Sequence, residues 1–328
     1  MDRRELLLGA AAVPLSALLA GEARAARTGG TPTALVTADL QSHVAALDLS
    51  TGRMLRRIRT LPGPRSIEST GMTWAVVAHT AYGAVSIIDG VRLEVVHVIR
   101  GLGAPRYTAI RAGHRPLAYV TDSDRGAVIT IDVLAGRVLT RTPVPGPARH
   151  VSLSPDGLML WTALGTKAAR VAVLDLEHPR RPRLRSTFTP PFLAHDVVCD
   201  PHGSRVWVTS GDAAQLAVYE QDALRPLAVV GAGAAPQHVA FRGDFDRRSR
   251  RVYVASGDDG VVRVFDTAAG QRGEIEVPGG SFNVVETTRG VMTPSLERGT
   301  LTVVDERRVL RVHRIAKAAH DAALVVTP

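Results

Sequence analysis

Residues 195–219 read HDVVCDPHGSRVWVTSGDAAQLAVY, and their reading decides the fold. Two polar residues, His195 and Asp196, precede a short apolar run at 197–199. Asp200-Pro201-His202-Gly203 has the composition of a tight turn, because Pro presets φ, Gly relaxes it and Asp bonds its own backbone. Residues 205–209 are rich in Val and Trp, which suit a pleated strand. A polar turn at 210–212 leads to a third apolar run ending at Tyr219. Strand, turn, strand, turn, strand is an antiparallel meander.

The same pattern recurs along the chain. An acidic residue closes the third strand of each unit: Asp48, Asp89, Asp132, Asp175, Glu220, Asp266 and Asp305. A short carboxylate there accepts backbone N–H groups of the turn it begins, so these acids are turn formers. The start of the first strand repeats independently, at Arg65-Ser66, Arg106-Tyr107, Arg149-His150, His195-Asp196, Gln237-His238, Phe282-Asn283 and His320-Asp321. Both series give units of 38–46 residues. Repeats of about forty residues with four strands each mark propeller blades.

Second strands repeat as ALVT (34–37), AVVA (75–78), AYVT (118–121), LWTA (160–163), VWVT (206–209) and VYVA (252–255). With the turn Ser154-Pro155-Asp156-Gly157 they resemble the YVTN-type seven-bladed β-propeller family, over almost all of residues 32–326. The expected fold is all-β: seven four-stranded antiparallel blades spanning 34–328. Two departures stand out. Residues 290–294 read as a poor second strand, and 243–251 lengthen the sixth unit. The first unit starts at its second strand, while 320–326 is an isolated first strand like 195–198. The C-terminal strand is therefore expected to complete blade 1 and close the ring, which removes an open sheet edge.

Composition is that of a globular chain: 45% hydrophobic, 22% charged, 4% aromatic. Net charge is +9, and of 40 basic residues only Lys167 and Lys317 are lysines. The basic residues form no long run interleaved with aromatics, so nucleic acid is not the expected partner. Cys199 is the only cysteine, which excludes an intramolecular disulfide and a Cys-rich metal site. It reads as a small buried hydrophobe. Residues 1–26, MDRRELLLGAAAVPLSALLAGEARAA, have a charged start, a short apolar run and an A-x-A cleavage signature. Arg3-Arg4 resembles a twin-arginine export signal, with a general secretory signal as the alternative. The expectation is an exported, periplasmic or extracellular monomer with a linker at 27–33 and no membrane span in the mature chain.

Chemistry is expected on one rim, where inner strands begin around the axis. The candidates are Arg65, Arg106, Tyr107, Arg149, His150, His195, Asp196, His238, His320 and Asp321. Four of the eleven histidines fall there. Imidazole with carboxylate suits zinc, copper or iron, which makes His150, His195, His238 and His320 metal candidates. Arginines favour an anion. Donors on different blades are expected to stand too far apart for one ion, so a small anionic molecule is preferred. No G-x-S-x-G elbow, phosphate loop or C-x-x-C-H motif is present. The expected function is a binding or scaffold protein taking a small molecule or protein partner at the channel mouth. The family resemblance adds two alternatives at the same rim, a lactonase-type hydrolase and a haem- or metal-linked redox accessory protein; the sequence names no cofactor.

Overall fold

The computed structural model describes residues 30–201, 203–243, 250–288, 290–305 and 307–328. The export segment at 1–26 lies outside them. Seven separate four-stranded sheets form, each antiparallel and almost all in simple chain order. The exception is blade 1, whose sheet runs Ala319–Thr327, Thr31–Ala38, His43–Asp48, Met54–Arg59. Its closing strand pairs from Thr31↔Thr327 to Ala38↔Ala319. The ring is thus shut by the two ends of the described chain, and residues 31–33 belong to that strand rather than to a linker.

Between every pair of neighbouring blades lies one apolar cluster. Leu35, Ala323 and Ile88 join blades 1 and 2; Trp161, Phe188 and Tyr219 join 4 and 5; Trp207, Phe241 and Phe265 join 5 and 6. Middle strands face a neighbour on both sides, so they are nearly continuous apolar runs. Adjacent residues then serve opposite interfaces, as a side-chain period of two requires: Leu160 packs toward blade 3 and Trp161 toward blade 5. Cys199 is buried in the cluster between blades 4 and 5, as expected of it, and burial pushes its thiol up to about 12.

Six of the seven acids at the ends of the third strands work as turn formers, while Glu220 accepts the Ser204 hydroxyl at 2.8 Å instead. Asp48 accepts the Ser50 N–H at 2.8 Å, Asp89 that of Val91 at 2.9 Å, Asp266 that of Ala268 at 2.8 Å and Asp305 that of Arg307 at 2.9 Å. Blade 7 corrects one expectation. Val291–Pro294 does form the second strand, fully buried, while the irregularity falls on the inner strand, reduced to Val285–Glu286. Among the described residues no helix is long and apolar enough to cross a membrane.

Candidate functional site

The inner strands begin at one end of the channel, and each supplies one residue to the same layer: Ser66, Tyr107, His150, Asp196, His238, Asn283 and Asp321. Together they line a cavity of about 160 Å³. Half-buried Arg65, Arg106 and Arg149, on blades 2, 3 and 4, stand one residue earlier, at the mouth.

How this layer is built depends on one alternating position. The second strands of blades 2, 4 and 6 carry Ala78, Ala163 and Ala255 where those of blades 1, 3 and 5 carry Thr37, Thr121 and Thr209. In the alanine blades the inner strand pairs by backbone alone: Arg65 N–H to Ala78 C=O at 2.9 Å, Arg149 to Ala163 at 3.0 Å, Gln237 to Ala255 at 2.8 Å. In the threonine blades the hydroxyl accepts the N–H one residue further along the inner strand, that of Asp321 at 2.9 Å, Tyr107 at 3.0 Å and Asp196 at 3.0 Å. The strand register shifts at the same place in all three. A bulge re-aims a side chain and is common beside functional sites. Here the three bulges carry Tyr107, Asp196 and Asp321. Thr209 also donates to Gln237 C=O of the next blade at 2.8 Å.

The histidines converge more closely than separate blades suggest. His150, His195 and His238 each offer a ring nitrogen, and these three atoms lie within 4.8 Å of one another. This corrects the expectation that donors on different blades stand too far apart, because inner strands meet at the axis. His320 is outside the group.

Hydrogen bonds fix the tautomers. His195 Nδ1 lies 3.2 Å from Thr166 C=O, so it is the donor, leaving a lone pair on Nε2. His238 Nδ1 donates to Asp196 Oδ2 at 3.1 Å. Its Nε2 accepts from the Tyr107 hydroxyl at 3.3 Å. His320 Nδ1 donates to Arg65 C=O at 2.7 Å. His150 is buried, 1% exposed, and neither of its ring nitrogens has a well-formed hydrogen bond. The Tyr107 ring packs on it at 4.2 Å.

Burial sets the protonation states. It holds His150 well below the usual imidazole range, helped by the neighbouring His195, His238 and Arg149. It lowers His195 to about 4 and His320 to about 3. All three are neutral at pH 7. The same desolvation raises Asp321 to about 6, against the N–H groups of Ile67 and Ala322 that favour its charge. Glu68, open to the lumen yet enclosed by channel walls, is raised to about 7, by desolvation first and by Asp321 in lesser part.

At the mouth, Arg65 pairs with Asp39 at 2.6 Å. Arg106 and Arg149 form no ion pair among the described residues. Their Nε atoms are buried without a partner. Burial lowers the Arg149 pKa, and Arg106 and Arg65 lower it further by like charge. Other carboxylates on this rim are taken up by structure. Asp122 accepts the N–H groups of Gly103 and Ala104, and Asp259 pairs with Arg263.

Of the sequence-chosen candidates, Tyr107, His150, Asp196, His238 and Asp321 line the cavity, and Arg65, Arg106, Arg149, His195 and His320 each stand one residue before a lining residue. Three residues of the channel were not foreseen. Ser66 and Asn283 occupy the repeat position of His150 and were visible in the alignment of strand starts. Glu68 had a signal too, an acid inside an inner strand.

No family model matches the chain, the YVTN repeat included, and no curated protein matches it. Solved structures match it as folds. Hydrazine synthase of Kuenenia stuttgartiensis is similar with a TM-score of 0.61 at 14% identity, over 74% of this chain and 77% of that one. Dihydro-heme d1 dehydrogenase NirN, solved in complex with DHE, is similar with a TM-score of 0.64 at 17% identity, over 87% of this chain and 63% of that one. The chain thus spans less than two thirds of NirN. At such identities the likeness is one of fold, and a fold does not carry an activity.

Proposed function

We propose that this propeller binds a small anionic molecule at its channel mouth. The observation that carries the reading is the pair Arg106 and Arg149, two neighbouring guanidiniums with no carboxylate partner and with buried, unbonded Nε atoms. Leaving a buried charged donor unpaired costs more than the about 1–3 kcal/mol of a neutral one. Like-charged neighbours raise that cost, and an anion relieves both. Planar guanidinium forks suit carboxylates and oxyanions. The channel cavity next to the arginines, about 160 Å³ and lined by residues such as Tyr107, His150 and Asp196 rather than by the guanidiniums, is below the roughly 300–1,000 Å³ of pockets that enclose drug-sized ligands, so it gives a larger ligand no room to extend inward. A small ligand is the better fit, and a flat group as large as a tetrapyrrole would have to lie over the mouth. The NirN likeness, to a protein solved with DHE, supports that second ligand class only through the fold.

We further propose export: residues 1–26 are removed and the monomeric propeller acts beyond the cytoplasmic membrane. N-terminal sequencing of secreted or periplasmic material reads this directly.

The test of binding uses chelator-treated protein at low salt, where charge attraction is least screened. Thermal unfolding is followed with phosphate, sulfate, nitrite and a set of mono- and dicarboxylates. A ligand at a hundredfold excess over its Kd stabilises by about 2.7 kcal/mol. At least one anion raises the melting temperature saturably in the wild type and not in Arg106→Gln or Arg149→Gln. If no anion does so, or if the folded arginine variants respond as the wild type does, the reading fails.

A further inference from the structure

We infer that His150, His195 and His238 form a binding site for a divalent transition metal of the zinc type, with one coordination position left open. The inference deepens the mouth-binding reading and rests on it only for the place of the ligand.

The three donor atoms lie within 4.8 Å of one another. Zn–N bonds of about 2.0–2.1 Å at tetrahedral angles put nitrogens about 3.4 Å apart. Closing the site therefore asks the three nitrogens to draw together by no more than about 1.4 Å. Two donors already have the outer partners that metal-binding histidines use. A metal-ligating imidazole donates its other N–H to a carboxylate or a carbonyl, which fixes the tautomer and aims the lone pair. Asp196 does this for His238 at 3.1 Å, and Thr166 C=O does it for His195 at 3.2 Å. Both leave Nε2 as the ligand atom. His150 completes the set, a buried imidazole aimed into the cavity with neither nitrogen well bonded.

Among the described residues His43 and His313 each leave one buried ring nitrogen without a partner, and His150 leaves both. A buried donor or acceptor without a partner costs about 1–3 kcal/mol; the His195 backbone gives His150 only a contact too poorly aligned to count as a hydrogen bond, and an ion there would supply the missing partner. His320, one residue before Asp321 of the layer, gives the contrast: it is also buried, its Nδ1 is bonded, and it lies outside the group. Three protein ligands with the fourth position free is the pattern of catalytic zinc sites, whereas structural sites are closed by four. The Tyr107 hydroxyl, which donates to His238 Nε2, is the group that an ion would displace. Arg149 stands near enough to lower both His150 and His195, so an anion on the ion would also meet that guanidinium.

The test uses the mature chain freed of metal by chelation. Zinc chloride is titrated by calorimetry and cobalt(II) chloride by visible absorption. One equivalent of each binds, and cobalt gives the intense bands of a four- or five-coordinate ion. His150→Ala abolishes binding. Asp196→Asn, which removes only an outer partner, weakens it by about 10–100-fold. His320→Ala leaves it unchanged. Circular dichroism confirms that each variant is folded; if His150→Ala is not, His195→Gln takes its place. A wild type that binds neither ion overturns the inference. So does a cobalt spectrum of six-coordinate, hydrated type, or a folded His150→Ala that binds like the wild type. Anion binding is measured without metal, so the two readings fail separately.

Discussion

The alternation of threonine and alanine on the second strands is the structural device on which the site rests, and Thr209→Val isolates it. The side chain is wholly buried. Its hydroxyl accepts the Asp196 N–H at 3.0 Å and donates to the Gln237 C=O at 2.8 Å. Valine keeps the volume and the branching, so no cavity term enters. Two buried backbone groups lose their partners, each worth about 1–3 kcal/mol. Channel water recovers part of this, and the expected loss is about 2–4 kcal/mol. With an unfolding entropy of about 2.1 cal/mol/K per residue over roughly 300 residues, the melting temperature falls by about 3–6 °C. Calorimetry of metal-free protein at pH 7.5 measures it, and Thr209→Ser, which keeps the hydroxyl, should lose less than half as much. If Thr209→Val stays within about 0.5 kcal/mol of the wild type, as an inconsequential surface change would, the hydroxyl is not what holds the bulge.

Three further outcomes follow from other parts of the chain. Buried His79 donates Nδ1–H to Pro62 C=O and accepts from Ser86 on Nε2, and burial lowers it to about 4. Because the folded value lies below the unfolded 6.5, its contribution is complete above pH 6.5 and is lost as pH falls toward 4, by about 3 kcal/mol. His79→Gln should flatten the fall of urea stability across that window, and an unchanged slope would contradict the assignment. Deleting residues 319–328 removes a strand paired from Thr31↔Thr327 to Ala38↔Ala319. At about 0.5–1.5 kcal/mol per hydrogen bond, before any apolar burial, that approaches a whole domain's about 5–15 kcal/mol. The truncated chain should show no cooperative melt, and a native-like one would mean that closure is dispensable. Cys199, with its thiol pushed up to about 12, should resist iodoacetamide at pH 8 until the protein is denatured; rapid labelling of the folded protein would contradict its burial.

The architecture was legible because each blade spells the same turn acids and apolar strands, and because an orphan first strand at 320–326 matches a missing one at 34. Repetition reports what every blade shares. The site lies in what the blades do not share, and there the sequence was read only in part. It marked which residues stand at strand starts, His150 and His195 among them, since those positions align. It did not show how close they come, because the distance between neighbouring blades is set by how tightly the inner strands crowd the axis. Hence the expectation that the histidines were too far apart for one ion. The threonine–alanine alternation was present in ALVT, AVVA, AYVT and VYVA, but its meaning needs the register: only the paired strands show that Thr37, Thr121 and Thr209 offer a hydroxyl acceptor and bulge the strand opposite. Glu68 was missed for a related reason. An acid in a strand reads as solvent-facing, and in a propeller the inner strand faces a channel.

The central claim, that function resides where His150, His195 and His238 meet beneath the arginine mouth, is tested most directly by anomalous diffraction from crystals of the mature chain soaked in cobalt(II). The expected map holds one strong peak on the channel axis, bonded to those three imidazoles and at about 2.0–2.1 Å from each. A map with no peak there, or with cobalt only on surface histidines such as His114 and His178, would contradict it.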